Sequence, residues 1–149
     1  MQAKHLKILQ QDYGNAPYFS EHLPFLHDVF SAGVEGLLDF NMAIFWHLML
    51  YLGVDTKIRF LSELDISANG ERLPIEICQY FKATSYLAPA AARSYLNPRL
   101  FESAGIELAL HKPKPCVYPQ LWGNFLPDLS SFDLIFNCGP KARALILAQ

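Results

Sequence analysis

The feature that most constrains this chain is the stretch from Phe40 to Leu52, which is apolar apart from Asn41 and His47. Its length falls short of the roughly twenty apolar residues that a helix needs to cross a bilayer, so it reads as a buried helix and not as a membrane span. Asp39 stands where an N-cap is wanted, and Gly53 where a left-handed residue closes a helix. A helix that is apolar on almost every side has to be covered on several sides, so the sequence predicts a central helix over 39–52. Composition points the same way. Charged residues make up 17% of the 149 and apolar residues, tyrosine included, 52%, whereas ordinary soluble domains carry roughly 25% charge. The chain is expected to be globular and to hold more apolar surface than a free monomer of this size hides. A partner surface is therefore expected, from another chain or another part of the same one.

Helical spacing of Leu6, Ile8, Leu9 and Tyr13, ending at Gly14-Asn15, predicts a short, partly exposed helix over 3–12. A second opens at Pro17, with Phe19, Leu23, Leu26, Val29 and Phe30 on one face and Glu21, His22 and Asp28 opposite. Pro24 inside that pattern predicts a kink or a split. Beyond Gly53 the periodicity changes. Strands are expected at 57–61, 84–88 and 106–110. Between them lie a helix from Asn69 to about Ala83, with Leu73, Ile77, Tyr80 and Phe81 inward, and one from Asn97-Pro98 to Gly105. Strand and helix in alternation argue for a parallel sheet with right-handed crossovers. The fold class is thus α/β, with a small parallel sheet of about three strands and several flanking helices, the C-terminal part of a larger α/β unit. Three prolines make 111–119 an extended loop. Ser130-x-x-Asp133 looks like a capping box with Asp in place of Glu or Gln, Gly139-Pro140 stops that helix, and Lys141–Ala148 forms the last. No repeat or linker interrupts the chain, so 1–149 is read as a single domain.

Several function classes drop out. The net charge is −2 with no run of basic residues, and phosphate neutralisation dominates nucleic-acid affinity, so nucleic acid is not an expected partner. Cys78, Cys116 and Cys138 lack the spacing of a zinc site and are read as reduced thiols filling core volume; no metal is expected. His22 and His27, five apart, do not form a metal pair, and His47 is read as a core histidine bonded to a carbonyl. The N-terminus has no apolar segment of a secretory signal. There is no GxSxG, P-loop, HExxH or GxGxxG. Candidates come from position, since ligands of open parallel sheets sit beyond the carboxyl ends of the strands. Those ends offer Ser62 and Glu63, then Arg93 and Tyr95, then His111 and Lys112. Arg93 suits bidentate contact with phosphate or carboxylate.

The order and spacing of several short motifs resemble the WbqC-like family of bacterial surface-polysaccharide gene clusters. They are Ala16-Pro17-Tyr18-Phe19, Leu52-Gly53 followed by Arg59 to Glu63, Tyr86-Leu87, Arg93-x-Tyr95-Leu96, and Tyr118-x-Gln120 with Ser130-x-x-Asp133 and Asn137-x-Gly139. Two departures stand out. The family's Gln-Pro-x-Tyr opening segment is absent, so the chain is similar to the C-terminal portion. The loop after Tyr86-Leu87 is glycine-rich in the family, whereas here it reads Ala88-Pro89-Ala90-Ala91-Ala92; alanine and proline restrict close backbone approach to a ligand. The resemblance implies a cytoplasmic transferase of O-antigen biosynthesis, with glycine or aminoacyl transfer to a nucleotide- or lipid-linked sugar. The alternatives are a non-catalytic binding subunit completed by a separate N-terminal half, and an inactive truncated remnant. For acyl transfer it implies Glu63 or Asp133 as the catalytic carboxylate, Arg93 and Tyr95 as substrate-binding groups, and Tyr118 and Gln120 as polar positioning groups. It names no cofactor.

Overall fold

The computed structural model describes residues 2–31 and 36–148. In chain order its helices are α1 (Gln2–Tyr13), α2 (Phe19–Ser31), α3 (Leu37–Tyr51), α4 (Leu73–Tyr80), α5 (Pro98–Ser103), α6 (Ser131–Cys138) and α7 (Ala142–Leu147), with strands β1 (Ser85–Pro89) and β2 (Glu107–His111). They fall into two compact units. One holds the residues up to Thr56 and those from Lys114 onward; the other is Lys57–Pro113.

In the first unit the most deeply placed element is α6. Asp133, Leu134, Ile135, Phe136 and Cys138 are all buried on it. Around them pack Leu6 of α1, Ala16, Phe19 and Leu26 at and within α2, and Ala142 of α7. Phe19 and Tyr13 both meet the ring of Phe136 edge-on, at centroid distances of 5.1 and 5.2 Å. Burial of a residue such as Phe136 or Ile135 contributes about 1.5–3 kcal/mol, so this short helix anchors the unit.

The 39–52 helix departs from expectation. It starts at Leu37 after Gly36, Asp39 lies in its first turn and does not cap it, and none of its residues is fully buried. Leu37, Leu38, Trp46 and Leu50 are exposed, Leu50 to 83%. The apolar run supplied the helix but not the cover. Gly53 does take the left-handed conformation at its end, φ +62°. Helix α2 runs on through Pro24 as one element. Its buried side chains, Phe19, His22, Leu26 and Val29, keep helical spacing, which puts His22 on the inner face and not on the polar one.

The second unit is built on a parallel pair, with Ser85 opposite Glu107 and Pro89 opposite His111. Among the described residues the sheet has two strands and not three. Residues 57–60 alternate between exposed and half-buried, as the sequence pattern demands, but form no ladder, and Leu61–Glu63 turns as a 3₁₀ helix. Alternation makes a segment extended; a ladder also needs a partner strand, which is not a local property. The helix from Asn69 is likewise shorter than predicted. Gly70–Arg72 is a 3₁₀ turn, Asn69 makes no side-chain cap, and α4 begins beside Pro74. Ile75 and Cys78 are its core residues, while Tyr80 and Phe81 are exposed. The Asn97-Pro98 start is as predicted: Asn97 accepts from the Arg99 amide at 3.2 Å. The loop at Ala88 to Ala92 closes β1 into a 3₁₀ turn, with Ala88 and Ala92 buried in this unit's core beside Phe101 and Ile106.

Candidate functional site

The site is assembled at the start of α6. Ser130 caps the helix by accepting the Phe132 amide at 3.3 Å. In a capping box the acidic side chain three residues on would return to the cap. Here the Asp133 carboxylate turns away from it. Tyr13 donates its hydroxyl to one Asp133 oxygen at 2.9 Å, and Gln120 donates Nε2 to the other at 3.3 Å. Asp133 is 4% exposed. The serine does the capping alone, which releases the carboxylate for other contacts.

Gln120 is itself locked. Its amide makes a two-way pair with the backbone of Leu126, accepting the amide proton at 2.8 Å and donating to the carbonyl at 2.9 Å. That pair closes the 120–126 loop on itself. Trp122 in the same loop donates its indole N–H to the Asp12 carbonyl at 2.9 Å, which fixes the loop to the end of α1. Between these elements lies a cavity of about 610 Å³, lined by Tyr13, Gln120, Trp122, Leu126, Leu129 and Asp133 among others. Burial, reinforced by the bond to Asp133, pushes the Tyr13 phenol up to about 12. Tyr118 is also pushed up to about 12, chiefly by burial and further by Asp133, with a contact to Gln120 acting the other way. Both phenols therefore stay protonated near neutral pH. The result is a buried carboxylate held by neutral donors at the wall of a partly apolar cavity, an arrangement able to accept a proton or to hold a positive group.

A second contact explains why two distant motifs occur together. The Tyr18 amide donates to the Phe136 carbonyl at 3.0 Å, and its ring packs on Gly139. Gly139 has φ +52° and ψ −131°, a region that glycine alone enters readily. The Ala-Pro-Tyr-Phe turn and the Asn-x-Gly end of α6 are thus two halves of one joint. Asn137 completes it by donating Nδ2 to the Asp133 carbonyl at 2.8 Å.

Of the residues singled out from the sequence, Tyr118, Gln120 and Asp133 come together here. Glu63, Arg93 and Tyr95 belong to the second unit and are exposed. Glu63 ends the Leu61–Glu63 turn, Arg93 sits in the Ala90–Ser94 turn, and Tyr95 follows it. His111 is exposed at the end of β2. Sequence reasoning counted Tyr13 only among the residues at helical spacing in the first helix, and it missed Trp122. Both sit at the edges of their segments, and only tertiary packing brings them to Asp133. It also missed the His22–His47 pair, whose Nδ1 and Nε2 lie 2.9 Å apart. His47 is bonded to that imidazole and not to a carbonyl, and its ring stacks on Phe25 at 3.7 Å. Cys78, Cys116 and Cys138 are free thiols, Cys78 and Cys138 buried. Among the described residues no three His, Cys, Asp or Glu side chains gather to hold a metal ion, and no helix is long and apolar enough to cross a membrane.

No solved structure matches this chain. An uncharacterized protein of Mycobacterium tuberculosis, Rv1507c, is 28% identical over 140 residues, which is 93% of this chain and 61% of the relative. The chain therefore spans about three fifths of the length of that relative. A profile of the WbqC-like protein family matches residues 1–145, nearly the full length and every segment that builds the Asp133 cavity, and the chain belongs to that family.

Proposed function

We propose that this chain is a single WbqC-like domain and the C-terminal portion of a cytoplasmic transferase of bacterial surface-polysaccharide (O-antigen) biosynthesis, and that the Asp133 cavity is its acceptor site. The observation that carries the reading is a carboxylate 4% exposed, held by Tyr13 and Gln120 at the wall of the cavity. Acyl or aminoacyl transfer needs such a group. The acceptor's amine or hydroxyl attacks the acyl carbon, its proton passes to the Asp133 carboxylate, and the leaving group departs with the electrons of the broken bond. Gln120 and Tyr118 position the acceptor. Within the second unit, taken by itself, Arg93 is our candidate clamp for a phosphate or carboxylate, Tyr95 a further substrate-binding group, and Glu63 the alternative to Asp133 as the catalytic carboxylate. The partner we propose is the family's N-terminal portion, fused or separate.

The test is Asp133→Asn in the producing bacterium, with the surface polysaccharide read by mass spectrometry. The expected result is loss of one acyl or aminoacyl substituent while the purified variant still melts cooperatively. An unchanged polysaccharide would leave Asp133 as a structural carboxylate and favour a non-catalytic or inactive chain. Arg93→Ala, read the same way, is expected to lower the substituent without moving the melt.

A further inference from the structure

The charged residues among the described ones lining the cavity are Asp12 and Asp133, both acidic. Asp133 is nearly fully buried, and both of its side-chain hydrogen bonds come from neutral donors. A carboxylate offers about four acceptor positions. Tyr13 and Gln120 occupy one on each oxygen, and even with the nearby Tyr118 hydroxyl counted as a third donor one position is left for a further donor. A buried charge without a counter-charge is costly, and a ligand that brings the opposite charge relieves that cost. Trp122 adds a second, independent observation. Its N–H is spent on the Asp12 carbonyl, so the ring is fixed in place, yet it remains 62% exposed. A tryptophan face is the best aromatic surface for a cation. Leu121, Leu126 and Leu129 add apolar wall, and Gln11 a neutral polar group. An anion placed here would meet two carboxylates and no positive partner from the lining.

We infer that the cavity selects its ligand by a protonated amine, held between the Asp133 and Asp12 carboxylates and the face of Trp122, and that it rejects phosphate. This rests on reading the cavity as the acceptor site, and names what that site takes: an amine-bearing group, such as an amino sugar, whose bound ammonium gives one proton to the Asp133 carboxylate before the neutral amine attacks. The phosphates of a nucleotide- or lipid-linked substrate then lie outside the cavity.

Isothermal titration of the purified chain at neutral pH with glucosamine, N-acetylglucosamine and glucose 6-phosphate tests this. Glucosamine is expected to bind roughly tenfold or more tighter than its N-acetyl form, as a charge-assisted hydrogen bond implies, and glucose 6-phosphate weakest. Asp133→Asn and Asp12→Asn are each expected to erase most of that preference. Asp12 is exposed, so its variant tests the assignment even if loss of the Asp133 charge disturbs folding. Tighter or equal binding of N-acetylglucosamine or glucose 6-phosphate would overturn the amine selection and leave the cavity standing as a site. A glucosamine preference that both variants retain would place the amine elsewhere and overturn the assignment. No binding by any of the three would overturn both the selection and the acceptor-site reading.

Discussion

Asp133 was visible in the sequence as half of a capping box, and that reading accounts for its position but not for its side chain. Ser130 caps without help, so the carboxylate is free to take Tyr13 and Gln120. Sequence could not show this, because Tyr13 lies 120 residues away and its hydroxyl reaches Asp133 only once α1 packs on α6. Tyr13→Phe removes one hydrogen bond to a charged group and is expected to cost about 1.5–3 kcal/mol of stability, less if water replaces the hydroxyl, measured by denaturant titration. No loss at all would mean that the bond is absent in solution. Gly139 is the other decisive residue. A Cβ there would overlap the Tyr18 ring, and the backbone has positive φ. Gly139→Ala is expected to cost about 2 kcal/mol or more from strain and overpacking together. Removing the ring as well, in Tyr18→Ala with Gly139→Ala, relieves the overlap but not the backbone strain. A melt unchanged in Gly139→Ala would contradict the joint described here.

Helices α2 and α3 meet through His22 and His47, and their pairing sets a pH dependence. His22 is 1% exposed and its Nε2 has no partner among the described residues. An unprotonated nitrogen is the cheaper orphan, which favours His22 donating from Nδ1 to Nε2 of His47. Burial lowers both pKa values below the usual 6.5, with His47 depressing His22 further and Glu21 opposing. The unfolded chain then takes up protons before the folded one does, so stability falls as pH drops below about 6.5 and continues to fall until the folded histidines titrate. Thermal midpoints measured between neutral and acidic pH are expected to show this slope, and His22→Phe to flatten it; an equal slope in the variant would assign it to other groups. On the alkaline side Tyr13, Tyr51 and Tyr118 are all pushed from 10 to about 12, so stability is expected to fall as pH rises above 10. Sequence placed helix α2 but put His22 on its polar side, because a histidine counts as polar until a partner is known. The helix caps that depend on neighbouring residues, Asn97 and Ser130, were legible, whereas the expected caps at Asp39 and Asn69 were not realised.

At the scale of the molecule the α/β class was legible from the alternation of periods along the chain, and the number of strands was not. Residues 57–60 carry strand-like alternation without a ladder. The apolar run likewise predicted a helix correctly and its burial wrongly, because hydropathy states a need for cover and not what meets it. Leu50, 83% exposed on α3, is therefore expected to tolerate Leu50→Lys with a change within about 0.5 kcal/mol in the isolated chain; a larger loss would mean that α3 is covered in solution. The Ala16-Pro17-Tyr18-Phe19 turn, the Tyr118-x-Gln120 segment and the stretch from Ser130 to Gly139 form one construction, in which the Tyr18 joint holds α6 and α6 presents Asp133 to the cavity. The most direct test of that account compares the surface polysaccharide of bacteria carrying Asp133→Asn with that of bacteria carrying the unaltered chain. The account predicts a missing substituent in the first and a complete polymer in the second, with both proteins folded. A normal polymer from a folded Asp133→Asn protein would contradict it.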